Sequence, residues 1–157
     1  MKKSKTKRQP LIRFLFLIYA LIMLWLLFGR ASGWADGLPY REALAQRINL
    51  TPLKTIRNYW YVIQNGTSQG LRNHCIINLV GNVVLFIPIG FLLPRIWPKL
   101  RNFFLFALIC AASILLVEAL QLFTLLGSFD VDDIILNLGG MITGYILCLI
   151  IPRKKSK

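Results

Sequence analysis

The sequence predicts an all-α membrane protein with four transmembrane helices, cytoplasmic N- and C-termini and an extracellular loop that carries a short amphipathic helix. Of its 157 residues, 56% are hydrophobic and the mean hydropathy is +0.60, which is too apolar for an ordinary soluble domain. The apolar residues form four long runs between short basic clusters. We place the helices approximately at residues 11–28, 76–93, 103–126 and 134–151, in a single domain that covers residues 1–157.

The first apolar run, residues 11–28, follows a basic N-terminal segment and so shares a feature with signal peptides. A typical signal-peptide core has about 7–15 apolar residues and is followed by an A-x-A-like cleavage site. This run is longer, and residues 31–35 contain no clean cleavage motif. We therefore interpret the run as an uncleaved transmembrane helix.

The outer loop, residues 29–75, has a helical pattern of its own, because apolar residues recur in it at spacings of three and four. They are Leu53, Ile56, Trp60 and Ile63. Thr51 is the expected N-cap of this helix and Pro52 its first residue. An amphipathic helix of this kind either lies on the bilayer surface or packs against protein, and the pattern does not separate the two.

The second run, residues 76–93, contains a helix-breaking pair. Pro88 has no backbone N–H to donate, and Gly90 follows closely. We expect a kink near residues 84–88, because the missing hydrogen bond weakens the helix there.

The distribution of basic residues determines the expected orientation. With the N-terminus in the cytoplasm, the N-terminal flank, the turn after the second helix and the C-terminal tail hold 6, 3 and 4 of the 19 Lys and Arg residues. The outer side holds the other 6 basic residues and all 6 acidic residues. Because basic residues favour the cytoplasmic side, we expect both termini to be cytoplasmic.

Polar side chains, whose burial in a membrane is energetically unfavourable, lie at a common depth in three of the four helices. They are Asn78 and Asn82 in the second helix, Glu118 and Gln121 in the third, and Asp130, Asp132, Asp133 and Asn137 at the start of the fourth. At about 1.5 Å of rise per residue, all lie in the outer half of the membrane. Most are paired three or four residues apart, so each pair shares one helix face. Polar groups inside a membrane usually mark a functional site.

We predict that these faces turn toward one another and form a polar ligand-binding pocket, open outward and closed below by Leu, Ile and Phe. Gly81, together with Gly140 and Gly144, is expected to let the helices approach closely. Two simpler roles compete with ligand binding. Asn and Gln often join membrane helices by hydrogen bonds, and one or two of the aspartates can cap the fourth helix.

Other kinds of site find little support in the sequence. Cys75, Cys110 and Cys148 show no CxxC or Cys/His spacing, so we expect no disulfide, metal or cofactor. His74 is the only histidine and is expected at the surface. No Ser or Cys matches it as a nucleophile, so no catalytic residue is assigned. The basic clusters flank apolar runs, and we therefore expect membrane lipids as partners rather than nucleic acid.

Several short motifs follow one another between residues 49 and 144. They are Asn-Leu-Thr-Pro-Leu at 49–53, Asn78 with Asn-Val-Val-Leu-Phe-Ile-Pro-Ile-Gly-Phe at 82–91, Glu-Ala-Leu-Gln at 118–121, Phe-Asp-Val-Asp-Asp at 129–133, and Asn137-x-x-Gly140. With these motifs the chain resembles the VanZ-like membrane proteins of bacteria. The resemblance implies a multi-pass protein of the bacterial inner membrane, and the family's namesake is linked to low-level resistance to teicoplanin-type glycopeptides.

One position departs from the family pattern. Relatives often have Arg just before the Ser-Phe-Asp run, where this chain has Gly127. If that Arg contacts a ligand in relatives, the contact is absent here or comes from Arg30, Arg72 or another loop residue.

Three functions remain open from the sequence. In the first, the pocket binds or shields a lipid-linked cell-wall precursor or a membrane-anchored glycopeptide. In the second, an intramembrane enzyme acts on a lipid substrate, with Glu118 as general acid or base. In the third, the polar layer serves only helix packing or contacts with a structural partner. The sequence does not indicate an oligomeric state.

Overall fold

The computed structural model describes residues 8–29 and 37–151. Within them, four helical segments are long and apolar enough to cross a membrane, which confirms the predicted all-α membrane architecture. The elements in chain order are α1 (Arg8–Phe28), α2 (Tyr40–Gln46), β1 (Ile48–Asn49), α3 (Lys54–Asn65), α4 (Gln69–Val84), α5 (Ile87–Ile96), a short 3-10 helix (Pro98–Arg101), α6 (Phe103–Phe123), β2 (Phe129–Asp130) and α7 (Val131–Ile150).

The second span is longer than predicted, because it covers Gln69–Ile96 rather than residues 76–93. Its start is fixed by an N-cap that precedes the apolar run. The Ser68 hydroxyl accepts a hydrogen bond from the Leu71 N–H at 3.4 Å. This cap lets polar residues form the first turns of the helix, which hydropathy alone does not reveal.

The predicted kink in this span is confirmed. Helix α4 ends at Val84 and α5 begins at Ile87. The Phe86 N–H donates to the Val83 carbonyl at 3.2 Å, three residues back rather than four. Pro88 lies just beyond this tightened turn, where its missing donor makes a regular helix unfavourable.

Close packing of the second span against α7 depends on glycine. A Cβ at Gly140 would collide with the Val83 carbonyl oxygen, and one at Gly144 with that of Ile87. The predicted role of these two residues in close approach is therefore confirmed. The same prediction is wrong for Gly81, where an added Cβ would meet no atom within 4 Å because that face of α4 is open.

The core lies between α5, α6 and α7. Phe106 and Ile114 of α6 are buried against Met141 and Tyr145 of α7, and Phe86 completes the cluster from the kink. The Phe106 and Tyr145 rings lie 4.6 Å apart between centroids. In contrast, Met23 is the one buried side chain among residues 9–29, so α1 is mostly peripheral.

The helix connections lie at two opposite ends of the bundle. At one end, Arg95 Nη2 donates to the Ile151 carbonyl at 3.0 Å, near the basic 3-10 helix Pro98–Arg101. At the other, Gln121 Nε2 of α6 donates to the Leu27 carbonyl of α1 at 3.0 Å. The first end is the one that the positive-inside rule places in the cytoplasm. That side assignment stays a prediction.

The amphipathic helix α3 begins at Lys54, and its N-cap is Leu53 in the left-handed conformation at φ 63°. The prediction that Thr51 caps this helix is wrong. The helix N-terminus is instead satisfied by the carboxylate of Asp132, which is distant in sequence. A chain bend at Leu53 therefore places Thr51 and Pro52 before the helix.

Helix α3 packs against α4 and leaves two of its three aromatic residues outside. The Tyr59 ring lies 6.3 Å from the His74 ring of α4 between centroids. Trp60 and Tyr61 are 57% and 68% exposed. The helix thus contacts protein on one side and leaves two aromatic rings exposed, and such residues favour a membrane interface.

Candidate functional site

Asp130 joins the outer loop to the start of α7. The strands β1 and β2 pair in parallel, with Asn49 opposite Asp130. The Asp130 carboxylate accepts hydrogen bonds from the Asn49 amide at 3.1 Å, the Thr55 hydroxyl at 2.6 Å and the backbone N–H of Asp132 at 2.8 Å. Asp130 is therefore the N-cap of α7, as the sequence allowed for one of the aspartates.

Asp132 holds the start of α3 against α7. Its side chain is 0% exposed. One carboxylate oxygen accepts the Leu53 N–H at 2.5 Å and the other accepts the Ile56 N–H at 3.1 Å. An anion at a helix N-terminus is favourable, because the first N–H groups have no partner within the helix.

Polar groups from three membrane-spanning segments meet beneath this cap. The Asn82 amide of α4 donates to the Asp133 carboxyl of α7 at 2.5 Å. Glu118 Oε2 of α6 accepts the Asp130 N–H at 3.3 Å. The start of α7 thus links Asn82 on one side with Glu118 on the other. We call Asn82, Glu118, Asp133 and Asn137 the polar layer.

Two amide oxygens in this region are buried without a hydrogen-bond partner in the described part of the chain. They belong to Asn78 and Asn137. Asn137 is only 4% exposed and lies one helical turn beyond Asp133, on the same face of α7. An unsatisfied buried acceptor costs about 1–3 kcal/mol. Such a group in a native structure requires an explanation.

Gln121, also predicted in the pocket, is directed elsewhere. Its amide donates to the Leu27 carbonyl and ties α6 to the end of α1. This is the helix-joining role that the sequence left open for amides.

Tyr59 of α3 is influenced by the acidic residues at the start of α7. Burial raises the pKa of Tyr59, and the charges of Asp133, Cys75 and Asp130 raise it further.

Two residues that bind the Asp130 carboxylate were not predicted as site residues. Asn49 and Thr55 both donate to the Asp130 carboxylate. Asn49 opens the Asn-Leu-Thr-Pro-Leu motif at 49–53, and this motif was the available signal. Its partners could not be assigned, because they lie about eighty residues away in the chain.

A loop arginine reaches the turn that carries Gly127. Arg47 donates from Nη1 to the Leu125 carbonyl and accepts the Phe129 N–H on its own carbonyl at 2.8 Å. Arg72, in contrast, donates to Gln69 Oε1 on α4, and Arg30 lies outside the described residues. Of the three, Arg47 is therefore the one that the structure ties to this turn.

Across residues 8–29 and 37–151, no group of three or more His, Cys, Asp or Glu is arranged to hold a metal ion. Cys75, Cys110 and Cys148 are free and buried. The functional groups of the polar layer are thus carboxyl and amide groups, which accept and donate hydrogen bonds.

Comparison with known proteins places this architecture in a family. No curated protein and no solved structure matches the chain in such comparisons. Residues 16–152 match the sequence profile of the VanZ/LLP1 family, and the match includes most of the first span, the other three spans and the polar layer. The chain therefore belongs to the VanZ/LLP1 family.

Proposed function

We propose that the protein binds the polar head of a lipid-linked ligand through Asp133, Asn137 and Glu118, with Asn82 holding Asp133 in position. The observation that carries this proposal is the Asn137 side-chain oxygen, which is deeply buried and accepts no hydrogen bond from the described residues. A ligand that donates to this oxygen removes its desolvation cost.

The two other aspartates belong to the framework of the site. The carboxylates of Asp130 and Asp132 accept five hydrogen bonds from side chains and backbone N–H groups. Most of their hydrogen-bond acceptor positions are therefore occupied by the donors at the N-termini of α3 and α7. This occupancy favours a structural role for both, and they are excluded from the proposed ligand contacts.

The chemistry of the polar layer defines the class of ligand. Carboxyl and amide oxygens select hydroxyl, amide N–H or ammonium donors. A membrane-anchored glycopeptide carries such donors next to its acyl chain, and a lipid-linked cell-wall precursor carries them on the sugar and peptide of its head. With the predicted orientation, the layer faces the outer leaflet of a bacterial inner membrane. Binding there would shield the ligand and contribute to resistance to teicoplanin.

The test is equilibrium binding of teicoplanin and of an undecaprenyl-linked cell-wall precursor to the purified protein in lipid nanodiscs. We expect Asp133→Asn to weaken binding of at least one of them by roughly tenfold, because hydrogen bonds to charged groups contribute about 1.5–3 kcal/mol. Asn137→Leu is expected to weaken it several-fold. Thr143→Val is the control, since the Thr143 hydroxyl is exposed and bonds only its own helix at Gly139.

Three outcomes oppose the proposal. If wild type binds neither probe, or if all variants bind equally, the polar layer has no such ligand. If the variants lose thermal stability and binding in strict proportion, the layer serves helix packing. Turnover of the precursor that is lost in Glu118→Gln would instead favour the intramembrane enzyme.

A further inference from the structure

An apolar cavity of about 240 Å³ lies between α1 and the other spans. All four membrane-spanning segments line it, with Met23 from α1, Phe86 from the kink, Ile114 from α6 and Met141 from α7. The cavity is therefore a partly open groove beside α1, at the depth of the membrane hydrocarbon.

Helix α1 is joined to the bundle by hydrogen bonds at two separate levels beside the cavity. At the outer end, Gln121 donates to the Leu27 carbonyl. Near the middle, the Tyr19 hydroxyl donates to the carbonyl of Leu85, the C-cap residue of α4 at the helix break. These hydrogen bonds fix the position of α1 while leaving space beside it.

The cavity offers no free polar group to a ligand among its described lining residues. The Tyr19 hydroxyl is already bonded to Leu85, and the Ser113 hydroxyl donates to the Ile109 carbonyl at 2.8 Å. The other lining side chains are apolar. A polar occupant would lose its hydrogen bonds to water without replacement, so the cavity favours hydrocarbon.

The cavity adjoins the polar layer along two helices. Ile114 lies one turn from Glu118 on α6, and Met141 lies one turn from Asn137 on α7. Residues four apart share a helix face and are separated by about 6 Å along the axis. Polar acceptors and an apolar cavity thus follow one another along the same faces, in the order of the head and chain of a lipid.

We propose that this cavity holds the hydrocarbon chain of the ligand whose head binds to the polar layer. The inference rests on the proposed function, since it names the second subsite of the same ligand. Helix α1 forms one side of this partly open cavity. The ligand is therefore an amphipathic molecule with donor groups close to a single flexible chain.

The experiment compares teicoplanin with the same glycopeptide core lacking its acyl chain, by binding to the protein in nanodiscs. Ala20→Leu adds bulk to a cavity-lining position of α1. We expect it to lower the preference for the acylated probe by about tenfold, because each buried methylene contributes to affinity. Ala112→Leu makes the same change at an exposed position of α6 outside the cavity and is expected to leave the preference unchanged.

A second measurement does not depend on how the polar head of the ligand binds. A long-chain isoprenyl phosphate with a diazirine in its chain is photolysed in the nanodisc, and the labelled residues are mapped by mass spectrometry. Labelling of Met23, Ile114 or Met141 that Ala20→Leu suppresses supports the inference. Labelling confined to the outward faces of α1 and α6 overturns it, as does an unchanged acyl preference in Ala20→Leu. If Asp133→Asn affects neither glycopeptide probe while the chain label remains in the cavity, the proposed head site fails and the chain site stands.

Discussion

At the start of α7, the adjacent carboxyl groups of Asp132 and Asp133 have different partners. Asp132 is fully buried and accepts two N–H groups from the first turn of α3. Asp133 bonds the Asn82 side chain and lies on the same helix face as Asn137. A helix turns by about 100° per residue, so neighbouring side chains cannot share a face. One carboxyl therefore anchors the loop, while the other belongs to the polar layer.

Replacement of Asp132 tests the first of these roles. Asp132→Ala leaves the N–H groups of Leu53 and Ile56 without their acceptor, at a cost of about 1–3 kcal/mol each. We expect hydrogen exchange at these amides to accelerate about tenfold or more, while exchange in the core of α6 stays the same. Asp132→Asn keeps one carbonyl oxygen and should show an intermediate effect. Equal protection of α3 in all three proteins would mean that this cap does not hold the helix.

The partners of these side chains differ in how far away they lie in the sequence. The N-cap role of Asp130 was predictable, because its partner, the N–H of Asp132, is two residues away. The link between Asp132 and Leu53 was not, because 79 residues separate them and no local pattern encodes that pairing. Gln121 shares a helix face with Glu118 in sequence, yet its amide reaches α1. Spacing identifies a face of a helix and leaves its partner undetermined.

At the scale of elements, α7 and the kinked second span approach closely at three glycines that lack side-chain bulk, Gly90, Gly140 and Gly144. Gly144 faces the Ile87 carbonyl oxygen and the Phe91 backbone nitrogen, so neither neighbour can move as a side chain would. Gly139, on the same helix, faces open space. Substitution at Gly144 therefore reports on helix packing, whereas substitution at Gly139 reports on helix propensity alone.

Gly144→Ala is expected to lower the thermal stability of the protein in detergent, since overpacking costs about 1–3 kcal/mol. Gly139→Ala is expected to be neutral or slightly stabilising, because alanine favours a helix by up to about 1 kcal/mol over glycine. The measurement is the unfolding midpoint of each variant. Equal midpoints for the two variants would show that the close approach of α5 and α7 contributes little to stability.

Secondary-structure elements were predictable from the sequence where a long local pattern of residues defines them. The four spans and the kink follow from run length and from Pro88, whose effects are local. The short helix α2 and the two-residue strands β1 and β2 were missed, because they are too short to show a period. The strand pair exists only because Ile48 meets Phe129 across the fold.

At the scale of the whole molecule, charge and polarity divide the bundle into two ends. Within the described residues, Glu118 and the three aspartates lie toward the end that carries α3, whereas Lys99 and Arg101 lie at the opposite end. Crossing a membrane in the reverse direction would place the basic end outside, against the positive-inside rule. Every proposal about the outer leaflet depends on this orientation.

Cysteine labelling on intact cells tests the orientation. Cys75, Cys110 and Cys148 are buried, and replacing them with Ala gives a background without native thiols. Thr51→Cys and Lys99→Cys then introduce one thiol at an exposed position of each end.

We expect a membrane-impermeant maleimide to label Cys at position 51 in intact cells and Cys at position 99 only after permeabilisation, because the basic end is held in the cytoplasm. Labelling both variants after permeabilisation controls for thiol reactivity. The reverse pattern would move the polar layer to the cytoplasmic leaflet. A glycopeptide arriving from outside could not then reach Asp133 and Asn137, and the binding proposal would have to be limited to lipids of the inner leaflet.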